Sequence, residues 1–476
     1  MKNREVVVIG SGIGGAGVAA LLAKDGAKPI VFERNNFVGG KAGSIEHEGC
    51  LFDVGVHISA RGEKGPLAQL ARKVGADVSF INKSPLLRLN YSGRDGLIYQ
   101  KMTHPVSLYN IYRIVRPSIK SLLGMLRLAM LVYSVKTKED AAPYYHIPAK
   151  SIIDKYMSDP DMQTFLDICC NLMFGISTDE ASAGDWLLAF NNWITSGATA
   201  YPKGGYGAIP NAYMKACEDA GGELHLNEKV NRIIVENGTV KGVESDKGFY
   251  PADIVISNAG VVKTLDMTGE QHFPGSYVEK ARNAIDSVGG VMVKYILDAP
   301  FAEIPMSLYT PRRFNVPDLI KGMEQGRMPD DMALFIVSPT ATEPGLAPEG
   351  LHLLYGGTVT PARFDKDLSN AVMDRVENRL EKLHPGLKEH IVWKERSGVD
   401  VIAAISGRVH GDAIGMAQRY DQDGDKRFSP KTPLKGLYIV GADTGSFGIG
   451  TELAAQSAME THALILEDTA GVHRAT

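Results

Sequence analysis

Six residues near the amino terminus, Gly10-Ser11-Gly12-Ile13-Gly14-Gly15, are spaced to do chemistry by keeping side chains out of the way. Gly10 permits a tight turn, Gly12 lets backbone N–H groups reach a pyrophosphate, and Gly15 lets a helix close against a strand. Ile13 and Gly14 then sit in the first turn, where those N–H groups point. Eighteen residues after Gly15 stands Glu33, an acid placed to accept from ribose hydroxyls. A GxGxxG alone is a common turn, so the flanking elements decide its meaning. Val6 to Ile9 is a continuous apolar β-branched run, typical of a strand buried on both faces of a parallel sheet. Ala16 to Lys24 reads as a small-residue helix, and Pro29 to Glu33 as a second strand. Strand, glycine turn, helix, strand and acid together describe a dinucleotide-binding βαβ unit.

Glu33-Arg34 is followed by Gly39-Gly40-Lys41, and then by Phe52-Asp53-Val54-Gly55-Val56-His57. On these residues the chain resembles the N-terminus of the FAD-containing amine oxidase and phytoene desaturase superfamily. The FDVGVH stretch is especially similar to the subgroup of carotenoid desaturases, carotenoid isomerases and retinol saturases. The resemblance implies a non-covalent FAD, with Arg34, Gly40, Lys41, Asp53, Gly55 and His57 along it. Lys41 stands where the family has a cation near the phosphates or flavin, and His57 falls near the isoalloxazine.

The far end resembles the same family. Leu437 to Val440 is another apolar strand, followed by Gly441-Ala442-Asp443, the glycines Gly445, Gly448 and Gly450, and a helix from about Thr451. The likeness implies that Gly441 and Asp443 lie near the ribitol and pyrophosphate. It also implies that Gly450 and Thr451 open a helix whose positive end faces the flavin pyrimidine and stabilises its reduced anion. Carotenoid desaturases are richer in Pro and Gly where this chain has Gly448 to Leu453, which puts the substrate class in question. Between the ends, Tyr201-Pro202-Lys203-Gly204-Gly205-Tyr206 is similar to the family's PxGG turn into a helix. Glu228 to Val243 reads as a hairpin about Asn237-Gly238; by resemblance Val230 meets the adenine through its backbone, although the hairpin alone is plain sheet.

The expected fold is therefore α/β, with a Rossmann-like βαβ FAD-binding domain from residues 1–65, 201–264 and 411–476. An α+β substrate domain from 66–200 and 265–410 is inserted into it, so both domains are discontinuous. The chain has 51 glycines in 476 residues, about 11% against a usual ~7%, which suits close backbone approach to a cofactor. Fifty-one cations against 55 acids give a net charge of −4, which argues against a nucleic-acid binder. Four cysteines without a CxxC suggest neither a disulfide framework nor a zinc site, and no metal is expected. Asp421-Gln422-Asp423-Gly424-Asp425 lacks the Gly and Glu of a calcium loop, since Lys426 and Thr432 stand there. No signal peptide or spanning segment is read, so the cytoplasm is the expected location.

Between Asp95 and Glu139 lie seven cations and no acid. At about 100° per residue, Arg113, Arg116, Lys120 and Arg127 fall within about 60° of one another, with Leu122, Leu126, Ala129 and Tyr133 opposite. Pro117 breaks the register, so the geometry holds from residue 118 onward. A helix near 108–135 then either lies on the cytoplasmic face of a membrane, cations at the headgroups, or packs on its own core. The prolines between 300 and 350 predict turns and short strands rather than helix, and suit a lid.

Redox chemistry at carbon needs a C–H stacked on flavin N5, a dry site and in some cases an acid or base. The candidates are His57, Lys294, which resembles the amine-oxidase lysine that holds a water at N5, and Glu452 near the last helix. Each also has a plainer role: a hydrogen-bonded structural His, an exposed strand Lys, and an acid complementing a helix dipole. Trp186, Trp193, Tyr201 and Tyr206 are possible pocket walls. No second GxGxxG sits between a strand and a helix, so electrons must pass to something transient: a nicotinamide (NAD(P)), a quinone, oxygen or the substrate. Three functions follow: desaturation, saturation or isomerisation of an apolar isoprenoid, carotenoid or retinoid-like lipid; amine oxidation; or a non-catalytic subunit stabilised by flavin.

Overall fold

The computed structural model describes residues 4–55, 58–83, 85, 87–93, 96–102, 119–196, 199–311, 315–329, 331–363 and 365–470. Its organising element is a five-stranded parallel sheet in the order Leu437–Ile439, Ile254–Ser257, Val6–Ile9, Ile30–Phe32, Glu223–His225. Val6–Ile9 and Ile254–Ser257 are buried at every residue, as their unbroken apolar runs require. On one face the Ile13–Lys24 helix lies between the Ala208–Asp219 and Gly450–Thr469 helices. Gly17 makes this possible, because a Cβ there would stand 2.7 Å from Leu70 Cδ1 and 3.2 Å from Ala458 Cβ. The other face carries the antiparallel strands Val230–Glu236, Thr239–Ser245 and Phe249–Pro251. Asn237 and Gly238 both adopt positive φ, 50° and 72°, which matches the primed turn expected of this hairpin.

A seven-stranded sheet forms the second layer, in the order Ile391–Ser397, Gly289–Leu297, His352–Thr360, Leu334–Val337, Met306–Thr310, Leu87–Gly93, Gly96–Met102. One face packs on the Lys366–Leu383 helix through Val372, Val376 and Leu380. The other covers Phe52, Tyr201 and the strand Cys50–Asp53. Four helices, Ile119–Ser134, Ala149–Tyr156, Pro160–Phe174 and Ala183–Ser196, share a separate core. Among the described residues no helix is long and apolar enough to cross a membrane.

Two expectations change here. The 300–350 region is not a lid: Met306–Thr310 and Leu334–Val337 are interior strands of the large sheet, and Val316–Glu324 is a helix. Its prolines do not prevent this, since Pro317 sits in the first turn, where no intrahelical N–H bond is lost, and Asn315 caps the helix by accepting from Asp318 N–H at 2.9 Å. The basic helix also turns a different face outward. Residues 108–118, with Arg113 and Arg116, lie outside the described residues. From 119 on, Met125, Leu128 and Val132 face the core, while Ile119, Leu123, Leu126, Met130 and Tyr133 are 81, 56, 48, 65 and 49% exposed. Leu126 and Tyr133 thus lie on the solvent side with Arg127. Packing sets this register: Gly124 brings the helix so close to the Tyr156 carbonyl that a Cβ would fall 1.9 Å from it.

The large sheet depends on one similar approach. A Cβ on Gly356 would lie 2.5 Å from Leu380 Cδ1, so Gly356→Val should push the Lys366–Leu383 helix off the sheet. The expected cost is about 1–3 kcal/mol, read as a lowered urea midpoint at unchanged slope.

Candidate active site

The parallel sheet places the glycine turn after Val6–Ile9 beside the turns after Ile254–Ser257 and Leu437–Ile439, at the carboxyl edge where open α/β sheets bind ligands. Gly10 has φ 89°. A Cβ on Gly15 would stand 2.0 Å from the Gly10 carbonyl, and one on Gly14 3.0 Å from Gly441 Cα. Asn258 fills the space between these turns: in the amide orientation that satisfies both neighbours, it accepts from Gly12 N–H at 3.3 Å and donates to the Val440 carbonyl at 3.1 Å. The helix Ile13–Lys24 begins at Gly12 with no side chain capping it. Its first N–H groups are thus presented to an anion from outside.

Glu33 is buried and stands at the end of the next strand. Its Oε2 accepts from Ser11 N–H at 3.0 Å and Ser11 Oγ at 2.7 Å, and its Oε1 from Asn35 N–H at 2.9 Å. Arg34 is exposed and reaches over Gly407. Val230 is buried in the hairpin under this edge. Asp53 is committed to protein partners: Oδ1 accepts from Ser44 Oγ and Tyr206 N–H, both at 2.8 Å, and Oδ2 from Tyr201 OH at 2.6 Å. It therefore ties the Tyr201–Tyr206 turn to the Cys50–Asp53 strand. Gly40 adopts φ 54° with open space where a Cβ would be.

A chain of alternating charges connects the two glycine regions. Lys41 Nζ donates to Asp412 Oδ1 at 2.9 Å, Arg408 pairs with Asp412 and, at 2.9 Å, with Asp443. Burial works against the Asp443 charge, but Arg408 outweighs it, helped by N–H donors from Val261 at 3.0 Å and Met416 at 2.9 Å. Its carboxyl is held well below the usual range, and Arg408 and Lys41 lower that of Asp412.

Next to this network opens a cavity of about 480 Å³. Lys41, Gly55, Gly450, Thr451 and Glu452 line it, together with Phe165, Ile168, Leu172, Leu188, Trp193, Leu308 and Phe335. The Gly450–Thr469 helix starts here, again with no side-chain cap. Its first turn is fixed by Tyr206 OH to Thr451 Oγ1 at 3.0 Å. Glu452 is locked rather than free, because Oε2 accepts from Arg61 Nε at 2.7 Å and Oε1 from Arg61 N–H at 2.9 Å. Lys294 is not among the residues lining the cavity: its buried Nζ donates to the Asp53 carbonyl at 2.8 Å and the Val54 carbonyl at 3.2 Å, and burial lowers its pKa. It is thus neither an exposed strand Lys nor a cavity group. His57 lies outside the described residues. Of the aromatics expected as walls, Trp193 lines the cavity; Trp186, Tyr201 and Tyr206 are buried in the cores beside it.

The model of the flavin containing amine oxidoreductase family matches residues 17–466. The chain belongs to that family. Its relatives include prolycopene isomerase, chloroplastic, from Daucus carota, 28% identical over 83% of this chain and 69% of the relative. The lycopene-forming phytoene desaturase of Pseudescherichia vulneris is 25% identical over 98% of this chain and 99% of its own length. The same fold occurs in an oxidoreductase from Methanosarcina mazei, TM-score 0.74, 21% identity, 97% of this chain and 100% of that one. It occurs also in a cyclohexylamine oxidase from Brevibacterium oxydans, TM-score 0.67, 15% identity, 98% of this chain and 99% of that one. The two uncapped helix ends and the glycine turns fit the family's flavin.

Asn258, Arg61, Arg408 and Asp412 were missed by the sequence reading. Asn258 had a signal, a polar residue just past a buried parallel strand at the ligand-binding edge. The Arg61–Glu452 pair had none, because its members are 391 residues apart.

A Cβ on Gly12 would meet the Asn258 amide at 2.6 Å, whereas one on Gly275 would meet nothing. Gly12→Val is expected to purify colourless and Gly275→Ala yellow, as read from the flavin absorbance per chain; a yellow Gly12→Val protein would refute the assignment of the turn.

Proposed function

We propose that this chain holds a non-covalent FAD and uses it at carbon–carbon bonds of an apolar isoprenoid, carotenoid or retinoid-like lipid. Residues 1–65, 201–264 and 411–476 hold the cofactor in this reading, and 66–200 and 265–410 shape the substrate cavity. The observation that carries it is the cavity wall: apolar side chains from the Pro160–Phe174 and Ala183–Ser196 helices and the large sheet face the flavin-side residues Gly55 and Gly450–Glu452. Its volume is within the usual ~300–1,000 Å³ of a small-molecule site. The named activities of the carrot and Pseudescherichia relatives support the substrate class.

The bound flavin supplies hydride transfer to or from carbon. The chain's own residues do the rest. Gly10, Gly12, Ile13, Gly14 and Gly15 offer backbone to the pyrophosphate, Glu33 the ribose contact, and Val230 the adenine. Arg34, Gly40, Lys41, Gly55, Gly441 and Asp443 line the path to the ring, while Asp53 acts through the turn it ties down. Gly450 and Thr451 set a positive helix end against the pyrimidine. Glu452 holds Arg61 at the cavity, and Lys294 clamps the Asp53–Val54 backbone. That clamp commits two of the lysine's three N–H donors to main-chain carbonyls, and it is the apolar wall that favours lipid over amine chemistry.

The test is anaerobic mixing of the yellow protein with carotenoid polyenes in vesicles and, separately, with alkyl amines. Polyenes should change the flavin spectrum while amines leave it unchanged and, once air is admitted, yield no peroxide; the reverse pattern would establish the amine oxidase. A flavin bleached by neither, nor by NAD(P)H or a quinol, would mark a non-catalytic subunit.

The exposed stripe Ile119, Leu123, Leu126, Met130 and Tyr133 supports a lipid surface as the source of the substrate, with Arg127 and Lys136 exposed beside it. Flotation with anionic vesicles should carry the protein upward and should lose Leu123→Asp/Met130→Asp; equal flotation of both proteins would rule this face out as a lipid contact.

A further inference from the structure

Redox at a carbon–carbon bond moves a proton as well as a hydride, and the proton needs a group at the cavity wall. Among the described residues the ionisable side chains lining the cavity are Lys41, Arg61, Cys169, Asp185 and Glu452. Lys41 is paired with Asp412, and Arg61 with Glu452. Burial pushes the Cys169 thiol up to about 12, which leaves it inert. Asp185 remains. With Leu188, Ala189, Asn192 and Trp193 it forms the i, i+3, i+4, i+7, i+8 stripe by which the Ala183–Ser196 helix faces the cavity.

The surroundings of Asp185 are built to keep a proton. The residue is 5% exposed, and the Asp423 carboxyl lies beside its own. Arg427 Nη1 donates to Asp423 Oδ1 at 3.1 Å, so the one guanidinium here is bonded to Asp423 and not to Asp185. Gln418 Nε2 donates both to Asp185 Oδ2 at 2.6 Å and to the Gly448 carbonyl at 3.0 Å, linking Asp185 to the loop that starts the flavin-side helix. The buried Tyr145 OH beside them, raised in pKa chiefly by burial, adds no positive charge. Burial first, and then the charge of Asp423, hold the Asp185 carboxyl well above the usual carboxylate range.

We propose that Asp185 is the general acid of the carbon–carbon redox step, with Asp423, Gln418 and Arg427 positioning and balancing its carboxyl. In the saturating direction the C=C electron pair takes the Asp185 proton at one carbon, and the neighbouring carbon receives hydride from the reduced flavin. The products are the CH–CH bond, the Asp185 carboxylate and oxidised flavin; a two-electron donor of the nicotinamide class restores the flavin, and water restores the proton. Desaturation is the same step reversed. The assignment rests on the lipid function proposed for this cavity.

Two measurements on the holoprotein test it. In the infrared, the wild type should show a protonated-carboxyl band at neutral pH that Asp185→Asn removes with flavin content unchanged. In stopped flow, dithionite-reduced protein mixed with a carotenoid polyene in vesicles should reoxidise with a solvent isotope effect. Asp185→Asn should reoxidise about 10²–10⁴-fold more slowly, without that isotope effect and with the same dependence on polyene concentration, while Asp185→Glu recovers part of the rate. An absent band, or an Asp185→Asn protein that reoxidises at the wild-type rate, overturns the proposal. Failure of the lipid function looks different: the wild type itself would exchange no electrons with any polyene, while the infrared band would still show whether Asp185 keeps its proton.

Discussion

Two helix amino termini converge on one edge of one parallel sheet, and neither is capped by its own chain. Helices begun at Gly12 and Gly450 leave their first N–H groups pointing outward, with positive dipole ends that favour an anion. The sheet order forces the convergence: Val6–Ile9 is separated from Leu437–Ile439 only by Ile254–Ser257. Close packing then sets the distance, since Gly14 sits against Gly441 with Asn258 between the turns. Both ends suit the flavin of this family, since each favours a negatively charged or electron-rich group.

The buried charges follow from that arrangement. Lys41, Asp412, Arg408 and Asp443 alternate in sign between the glycine turn of residues 39–41 and the last strand. Arg61 and Glu452 do the same across the mouth of the second helix. Ions this deep are costly unless each has a partner and hydrogen bonds, so the pairs fix loops that sequence separation alone would leave loose. With those charges tied to one another, the remaining cavity wall is free to be apolar.

Much of this was legible in the sequence because it depends on local rules. A buried strand, a glycine turn and a terminal acid must be close in sequence to work, and Val6 to Glu33 displays all three; the Leu437 to Thr451 segment repeats the logic. The substrate side follows no such rule. Met306–Thr310 and Leu334–Val337 lie in a proline-rich stretch, and only their neighbours in the large sheet make them strands. The outward face of Ile119–Ser134 is set by the helices beneath it, so its own periodicity misplaced Leu126 and Tyr133. Lys294 illustrates the same limit: its strand was readable, but the carbonyls of Asp53 and Val54 that receive its ammonium come from 240 residues away.

The most direct measurement is a crystal structure of the yellow holoprotein. The pyrophosphate should lie within hydrogen-bonding distance of the N–H groups following Gly12, the flavin pyrimidine against those following Gly450, and the ring's reactive face should open onto the apolar wall of Leu188 and Phe335. A flavin bound elsewhere, or one whose ring is shut off from that wall, would contradict this arrangement.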